Sequence, residues 1–298
     1  MAFFFEKCYT LGKIYYMNIA VSAESTIDLP KELLERFKIE VIPFTVLLGE
    51  KAALDGEITP PEIFDYVDKT GVLPKTSAVN EFQYSEYFKE LLTKYDAVIH
   101  ISLSDGISSS CQHAITVAGK LKNVYVVNSK SLSTGIALLA IYGRQLIDQG
   151  LEAEEVAKKI TERVPHLQVS FVLNTVEYLF KGGRCSSLQR FGVNLLRIKP
   201  QILVGKDGKM SSGSKYRGKN KEVVEQYCLD TLKKFNTPNK DLVFVTHSIA
   251  SPDMVETAKE ILQRKGFKEI LETYAGATIS SHCGPKCLGI LYFNDGTK

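Results

Sequence analysis

No stretch of this 298-residue chain approaches the roughly 18 consecutive apolar residues of a membrane-spanning helix. No excess of one charge is present either. The 37 basic residues are scattered and the net charge is only +3, which argues against a nucleic-acid surface. A Walker-type phosphate loop is excluded because no G-x4-G-K-[ST] occurs, and the absence of G-x-S-x-G removes the usual nucleophile elbow. Carboxylates do not cluster as metal ligands. Cys8, Cys111, Cys185, Cys228, Cys283 and Cys287 follow no zinc spacing, since Cys283 and Cys287 form an isolated C-x3-C. They read as reduced thiols of a cytoplasmic protein. The apolar opening is interrupted by Glu6, Lys7, Lys13 and Asn18 and has no basic start, so it does not read as a signal peptide. Residues 1–16 read as a peripheral extension, with Met17 directly before the first strand.

What is present is a soluble, globular composition, 44% apolar and 24% charged, in a chain long enough for a real core. Short apolar strands alternate with amphipathic helices, which predicts an α/β fold. "NIAV", "IEVIPFTVLL" (39–48 as one strand), "AVIHISL" and "VYVVN" read as strands. Helices are expected over "LPKELLERF", over "TPPEIFDYVDKTG" closed by Gly71, after the cap Asn80, over 109–121 and over the apolar 132–148. This block predicts a mostly parallel sheet wrapped by helices. After Gly150 a helix, the strand "LQVSFVL", a hairpin turning at Asp207-Gly208, two more helices and three strands predict a second, mixed sheet. The expected organisation is an extension over 1–16, an N-terminal α/β lobe over 17–160 and a C-terminal α/β lobe over 161–298.

In open α/β sheets ligands bind at the carboxyl ends of strands. Four loops there are rich in small polar residues: "LPKTSAVN" (73–80), "SLSDGISSS" (102–110), "VNSKSLSTG" (127–135) and "TISSHCGPKCLG" (278–289). Singly, each reads as a polar surface turn; together they point to a shared pocket. The turn at 102–110 precedes a helix, where anions settle, yet it carries no Lys or Arg. Of the five histidines, His100 in its apolar strand and His113 on its helix read as core or surface residues. His282, set among Gly, Ser and Cys, has surroundings that suit ligand contact. Gly182-Gly183 end a helix and project Lys181 and Arg184, either toward phosphate or an acidic partner or back onto the helix C-terminus.

Eight collinear motifs resemble the DegV family of bacterial fatty-acid-binding proteins. "ESTIDLP" is similar to D-S-T-x-D-L-P, with Glu24 replacing Asp. "KTSAVN" keeps Thr76 and Ser77 of K-T-S-Q-P-S. "LSDGISSSCQHA" looks like L-S-S-G-L-S-G-T-Y-Q-S-A, and "NSKSLSTG" like D-S-K-S-x-S-x-G. "YLFKGGRCSS", "LLRIKPQI", "KYRGKNK" and "SSHCGPKCLG" match Y-L-x-K-G-G-R-I-S, L-L-x-I-K-P-I, K-x-R-G-x-K-K and x-x-H-x-G-P-G-x-L-G. Ala78, Val79, Asn80 and Asp105 depart from the pattern. Asp105 would repel a bound carboxylate unless it points outward.

The resemblance implies a two-lobed, non-catalytic protein with a buried long-chain fatty acid. It also implies a partner, an ATP-dependent fatty acid kinase that phosphorylates the carboxyl for phospholipid synthesis. By motif, the carboxylate contacts fall on Thr76, Ser77, Ser108 and His282. Partner or phosphate contacts fall on Lys181, Arg184 and Arg217. No metal or cofactor is implied. Burying about fourteen methylenes at roughly 0.8 kcal/mol each sets an upper limit near 11 kcal/mol, so the tail grips and the hydroxyls orient. "VIPFTVLL", "VSFVL" and helix 132–148 are candidates to line the tail's path. Two other classes stay open: an acyl hydrolase or transferase using Ser108 or Cys283 with His282, and a binding module for another small molecule.

Overall fold

The computed structural model describes residues 17–188 and 198–296. The extension 1–16, with Cys8, and part of "LLRIKPQI" lie outside the described residues.

Four apolar runs form a parallel sheet. β1 (Ile19–Glu24) lies between β2 (Ile39–Ile42) and β6 (Ala97–Ser102), and β7 (Val124–Asn128) flanks β6. β1 and β6 are buried along their whole length, as strands covered by helices on both faces must be. Because β1 has β2 on one side and β6 on the other, the chain order reverses between β1 and β6. A crevice opens at that point, beyond the strands' carboxyl ends.

A six-stranded mixed sheet follows in the order β10-β9-β8-β13-β11-β12. Its strands are β8 (Leu167–Val172), β9 (Lys199–Val204), β10 (Met210–Tyr216), β11 (Leu242–Ser248), β12 (Glu269–Tyr274) and β13 (Cys287–Phe293). Alternation along these strands divides the side chains between two cores. Val243, Val245, Ile290 and Tyr292 face α8 (Asn220–Lys234) and α9 (Pro252–Arg264). Val169, Phe171, Phe244 and Leu291 face α5 (Thr134–Asp148) and share a continuous core with the parallel sheet. Helix α5 therefore lies between the two sheets, which explains why its sequence is apolar nearly all round. Gly143 permits its close approach to α6 (Ala153–Arg163), since a Cβ there would stand 2.6 Å from Ile160 Cδ1.

Two expectations need correction. Residues 39–48 are not one strand. Pro43, lacking an N–H, separates β2 from β3 (Thr45–Leu48), and β3 leaves the parallel sheet. It joins β4 (Lys51–Leu54) and β5 (Lys75–Ser77) in a small antiparallel sheet, with Val46 opposite Thr76. Residues 278–289 are not wholly a loop either, because α10 (Ala277–Cys283) occupies the first half. Its first N–H groups are satisfied from far away: Gly276 N donates to Asp28, and Ala277 N and Thr278 N donate to Asp55. The predicted caps hold elsewhere. Thr59 and Glu62 form a capping box for α2 (Pro60–Thr70), and Asn80 caps α3 (Glu81–Leu92).

Candidate functional site

The crevice at the order reversal is built on a buried carboxylate. Glu24, at the end of β1, accepts from Tyr84 Oη at 2.7 Å, Leu103 N at 2.9 Å, Ser110 Oγ at 3.1 Å and Ser102 Oγ, with His100 Nε2 3.5 Å away. Burial pushes its pKa up, but His100, Ser102 and Tyr84 outweigh that and hold it at about 2. Glu24 thus ties β1 to both ends of the 103–110 loop. Ser104 Oγ donates to Gly208 O, which binds the same loop to the β9–β10 hairpin.

Ser108 stands just before α4 (Ser110–Ala118), where its hydroxyl oxygen accepts from Ser110 N at 3.2 Å. Its proton is left to donate toward the crevice, near the positive end of the helix dipole. Thr76, on β5, lies opposite. Its Oγ1 is 2.9 Å from His282 Nε2 on α10. His282 Nδ1 is buried without a hydrogen-bond partner. Burial, with a smaller contribution from the charge of Arg184, pushes the imidazole down to about 4, so the ring is neutral at pH 7. An orphaned acceptor is tolerated better than an orphaned N–H, which places the ring proton on Nε2, facing Thr76. Thr76 Oγ1 then accepts, and its own proton is free. Gly182 is required here: a Cβ at that position would come within 2.8 Å of His282 Nδ1.

Thr76, Ser77, Ser108 and His282 all line one cleft of about 460 Å³, together with Phe44, Leu132, Met210 and Ile279. That volume falls in the range of small-molecule sites. A smaller inner cavity of about 50 Å³ adjoins it. Phe171, Leu179, Cys283 and Leu291 line this cavity, and Leu132, Met210, Ile279 and His282 line both spaces. Of the stretches expected to line a tail, Phe44, Phe171 and Leu132 border these spaces, whereas α5 itself is ordinary core.

Arg184 also lines the cleft, so the site is not free of cations as the 102–110 turn alone suggested. Its Nη1 donates to Gly182 O at 2.6 Å, closing the end of α7 (Glu177–Lys181). Lys181 pairs with Glu177 at 2.6 Å and is not part of the lining. Arg217 is exposed after β10, also away from the cleft. Asp105 points outward to Lys130, at 2.7 and 2.9 Å, which removes the conflict with a bound carboxylate. His113 is neither core nor free surface: it lines the cleft, with Nδ1 2.8 Å from Val79 O. Met210 and Ile279 line the cleft without a sequence signal, because nothing in sequence separates a cleft-lining apolar residue from a core one.

Fold and cleft together define a class: two α/β lobes with a hydroxyl-lined cleft beside an apolar cavity. The chain belongs to the DegV family; the family model described as "Uncharacterised protein, DegV family" matches residues 18–295. It is 30% identical over 281 residues to the protein DegV of Bacillus subtilis, covering 93% of this chain and 99% of that one. A Thermotoga maritima relative named as a fatty acid-binding protein is 29% identical over 285 residues, covering 92% and 96%. A solved structure described as fatty acid binding of a DegV family protein from Thermus thermophilus superposes with a TM-score of 0.85 at 27% identity. It covers 93% of this chain and 99% of that one.

No helix among the described residues is long and apolar enough to cross a membrane. Among the same residues no group of three or more His, Cys, Asp or Glu could hold a metal ion.

Proposed function

We propose that this chain binds a long-chain fatty acid and presents its carboxylate to an ATP-dependent kinase, which forms the acyl phosphate. In this reading residues 17–160 form the lobe that supplies the head-group hydroxyls. Residues 161–298 form the lobe that completes the pocket with His282, Met210 and Ile279. The carboxylate accepts from Thr76 and Ser108, with Ser77 beside them and His282 acting through Thr76. The tail passes Leu132, Met210 and Ile279 into the inner cavity. Met210, unbranched and with three side-chain torsions, yields to it at least cost.

The observation that carries this reading is that a polar cleft and an apolar cavity adjoin, with Leu132, Met210, Ile279 and His282 lining both. The names of the Thermotoga and Thermus relatives support the ligand class. Neutral donors hold a carboxylate in place while leaving an oxygen lone pair free to attack phosphorus. Arg184 on the cleft wall suits the phosphate that arrives. Lys181 and Arg217, which the family motifs single out, are further candidates for contact with the kinase.

A binding role also fits the geometry better than hydrolysis. A Ser or Cys nucleophile needs a base oriented by a third group. His282 is bonded to Thr76, its Nδ1 has no carboxylate, and the Cys283 thiol lies 3.5 Å from Gly284 O. We place the protein in the cytoplasm, consistent with its five described cysteines being free thiols.

Mass spectrometry of the bacterially expressed protein after denaturation tests the proposal. A copurified long-chain acid at near one per chain is expected. A lipid-free protein that also takes up no added acid contradicts it, as does turnover of an acyl ester abolished by His282→Ala.

A further inference from the structure

The inner cavity has a second end. His282 marks the end next to the cleft, at the C-terminus of α10. The cavity is also lined by Ala275, two residues before α10 begins, and by His247 near the end of β11. From His282 back to Ala277 the helix advances about 7.5 Å, and Ala275 lies two residues beyond. The cavity therefore runs along α10, with the head-group residues at one end and His247 and Ala275 at the other.

Those two residues have another face. Both also line an outer groove of about 520 Å³, between Pro60 and Pro61 at the start of α2 and Ala250, Pro252 and Val255 near the start of α9. His247 and Ala275 are thus the partition between the inner cavity and the groove. His247 is 3% exposed and is fixed on both ring nitrogens: Nδ1 accepts from Ala250 N at 3.2 Å and Nε2 lies 3.2 Å from Glu272 Oε1. Tyr274 packs edge-on against the ring, with centroids 4.7 Å apart, and Lys259 holds Glu272 in turn. Ala275 N donates to His247 O, which locks the two halves of the partition together. Elsewhere the wall includes apolar side chains without hydrogen bonds, such as Leu179, Met210 and Leu291. This end is stiff.

We infer that His247 and Ala275 form the stop against which the methyl end of the bound acid rests, and that they set the chain length this protein accepts. The inference rests on the fatty-acid reading above. A methylene that can be buried is worth about fourfold in affinity, and one that meets a fixed wall is worth nothing or less. Affinity should climb with chain length, then break sharply. Removing the imidazole joins the cavity to the apolar side of the groove, which can take the excess methylenes. Enlarging Ala275 moves the stop inward.

The test is equilibrium binding of straight-chain saturated acids, in steps of two carbons, to the wild-type protein, His247→Ala and Ala275→Leu. The wild type should show a length optimum. His247→Ala should move that optimum to longer acids, with affinity rising about fourfold per methylene past the old break. Ala275→Leu should move it to shorter ones. If His247→Ala does not fold, Ala275→Leu decides alone. Variants that bind with the wild-type optimum overturn the stop while leaving the fatty-acid reading intact. A wild type that binds no acid of any length overturns both.

Discussion

Thr76 Oγ1 and His282 Nε2 stand 2.9 Å apart, although 206 positions separate them in the chain. The contact joins the small antiparallel sheet to α10 and fixes which way the threonine proton points. With His282 donating from Nε2, Thr76 donates to the ligand. Removing that hydroxyl by Thr76→Val should weaken fatty-acid binding about tenfold to a hundredfold, the value of a hydrogen bond to a charged group. It should not abolish binding, because the tail supplies most of the affinity. Isothermal titration with one acid checks both halves.

Gly182 tests the same arrangement from behind. Gly182→Ala would push a methyl to 2.8 Å from His282 Nδ1 and from Tyr178 O. The ring must shift, and its bond to Thr76 lengthens. Affinity should fall about as much as in Thr76→Val, with a stability loss of about 1–3 kcal/mol from overpacking. Combining the two changes should cost less affinity than their sum, since both act through one contact.

His282 also predicts a pH dependence. Its folded-state value of about 4 lies below the ordinary 6.5 because burial disfavours the cation. Between those values the unfolded chain binds the proton and the folded chain does not. Stability therefore falls as pH drops from 6.5 toward 4, by at most about 3 kcal/mol. Thermal melts of the wild type and His282→Gln across this window should differ in slope, with the variant flatter.

Glu24 has its own window, lower down. Its value is held at about 2 against an ordinary 4.5, so the stability it contributes is complete above 4.5 and is lost as pH falls toward 2. Glu24→Gln turns an amide donor toward a ring of donors. About 3 kcal/mol should be lost in denaturant melts at neutral pH. The Ser108 loop, freed from its anchor at Leu103 N and Ser110 Oγ, should also bind acid more weakly.

Much of this could be read in the sequence where local chemistry decides. Thr59-x-x-Glu62, Asn80 and Asp207-Gly208 each satisfy or redirect nearby backbone groups, and each lies where the pattern placed it. What stayed hidden depends on distant partners. Helix α10 is short and rich in Ser and Thr, and it forms because Asp28 and Asp55 cap it from the N-terminal half. Thr76 belongs to a three-residue strand whose partner, β3, reads in the sequence as a continuation of β2. Arg184 was legible as a presented cation, but not as one that turns to the same cleft as Ser108. The split between Met210, which lines the cleft, and Ile202, which fills the core, is a matter of packing alone.

The central claim concerns direction: carboxylate at Thr76 and Ser108, methyl end toward His247. A crystal structure of the protein with palmitate tests it directly. The account predicts the carboxylate within hydrogen-bond reach of Thr76 Oγ1 and Ser108 Oγ, and the chain running past Met210 and Ile279. Density with the carboxylate beside His247, or an acid lying in the outer groove with the inner cavity unchanged, would contradict it.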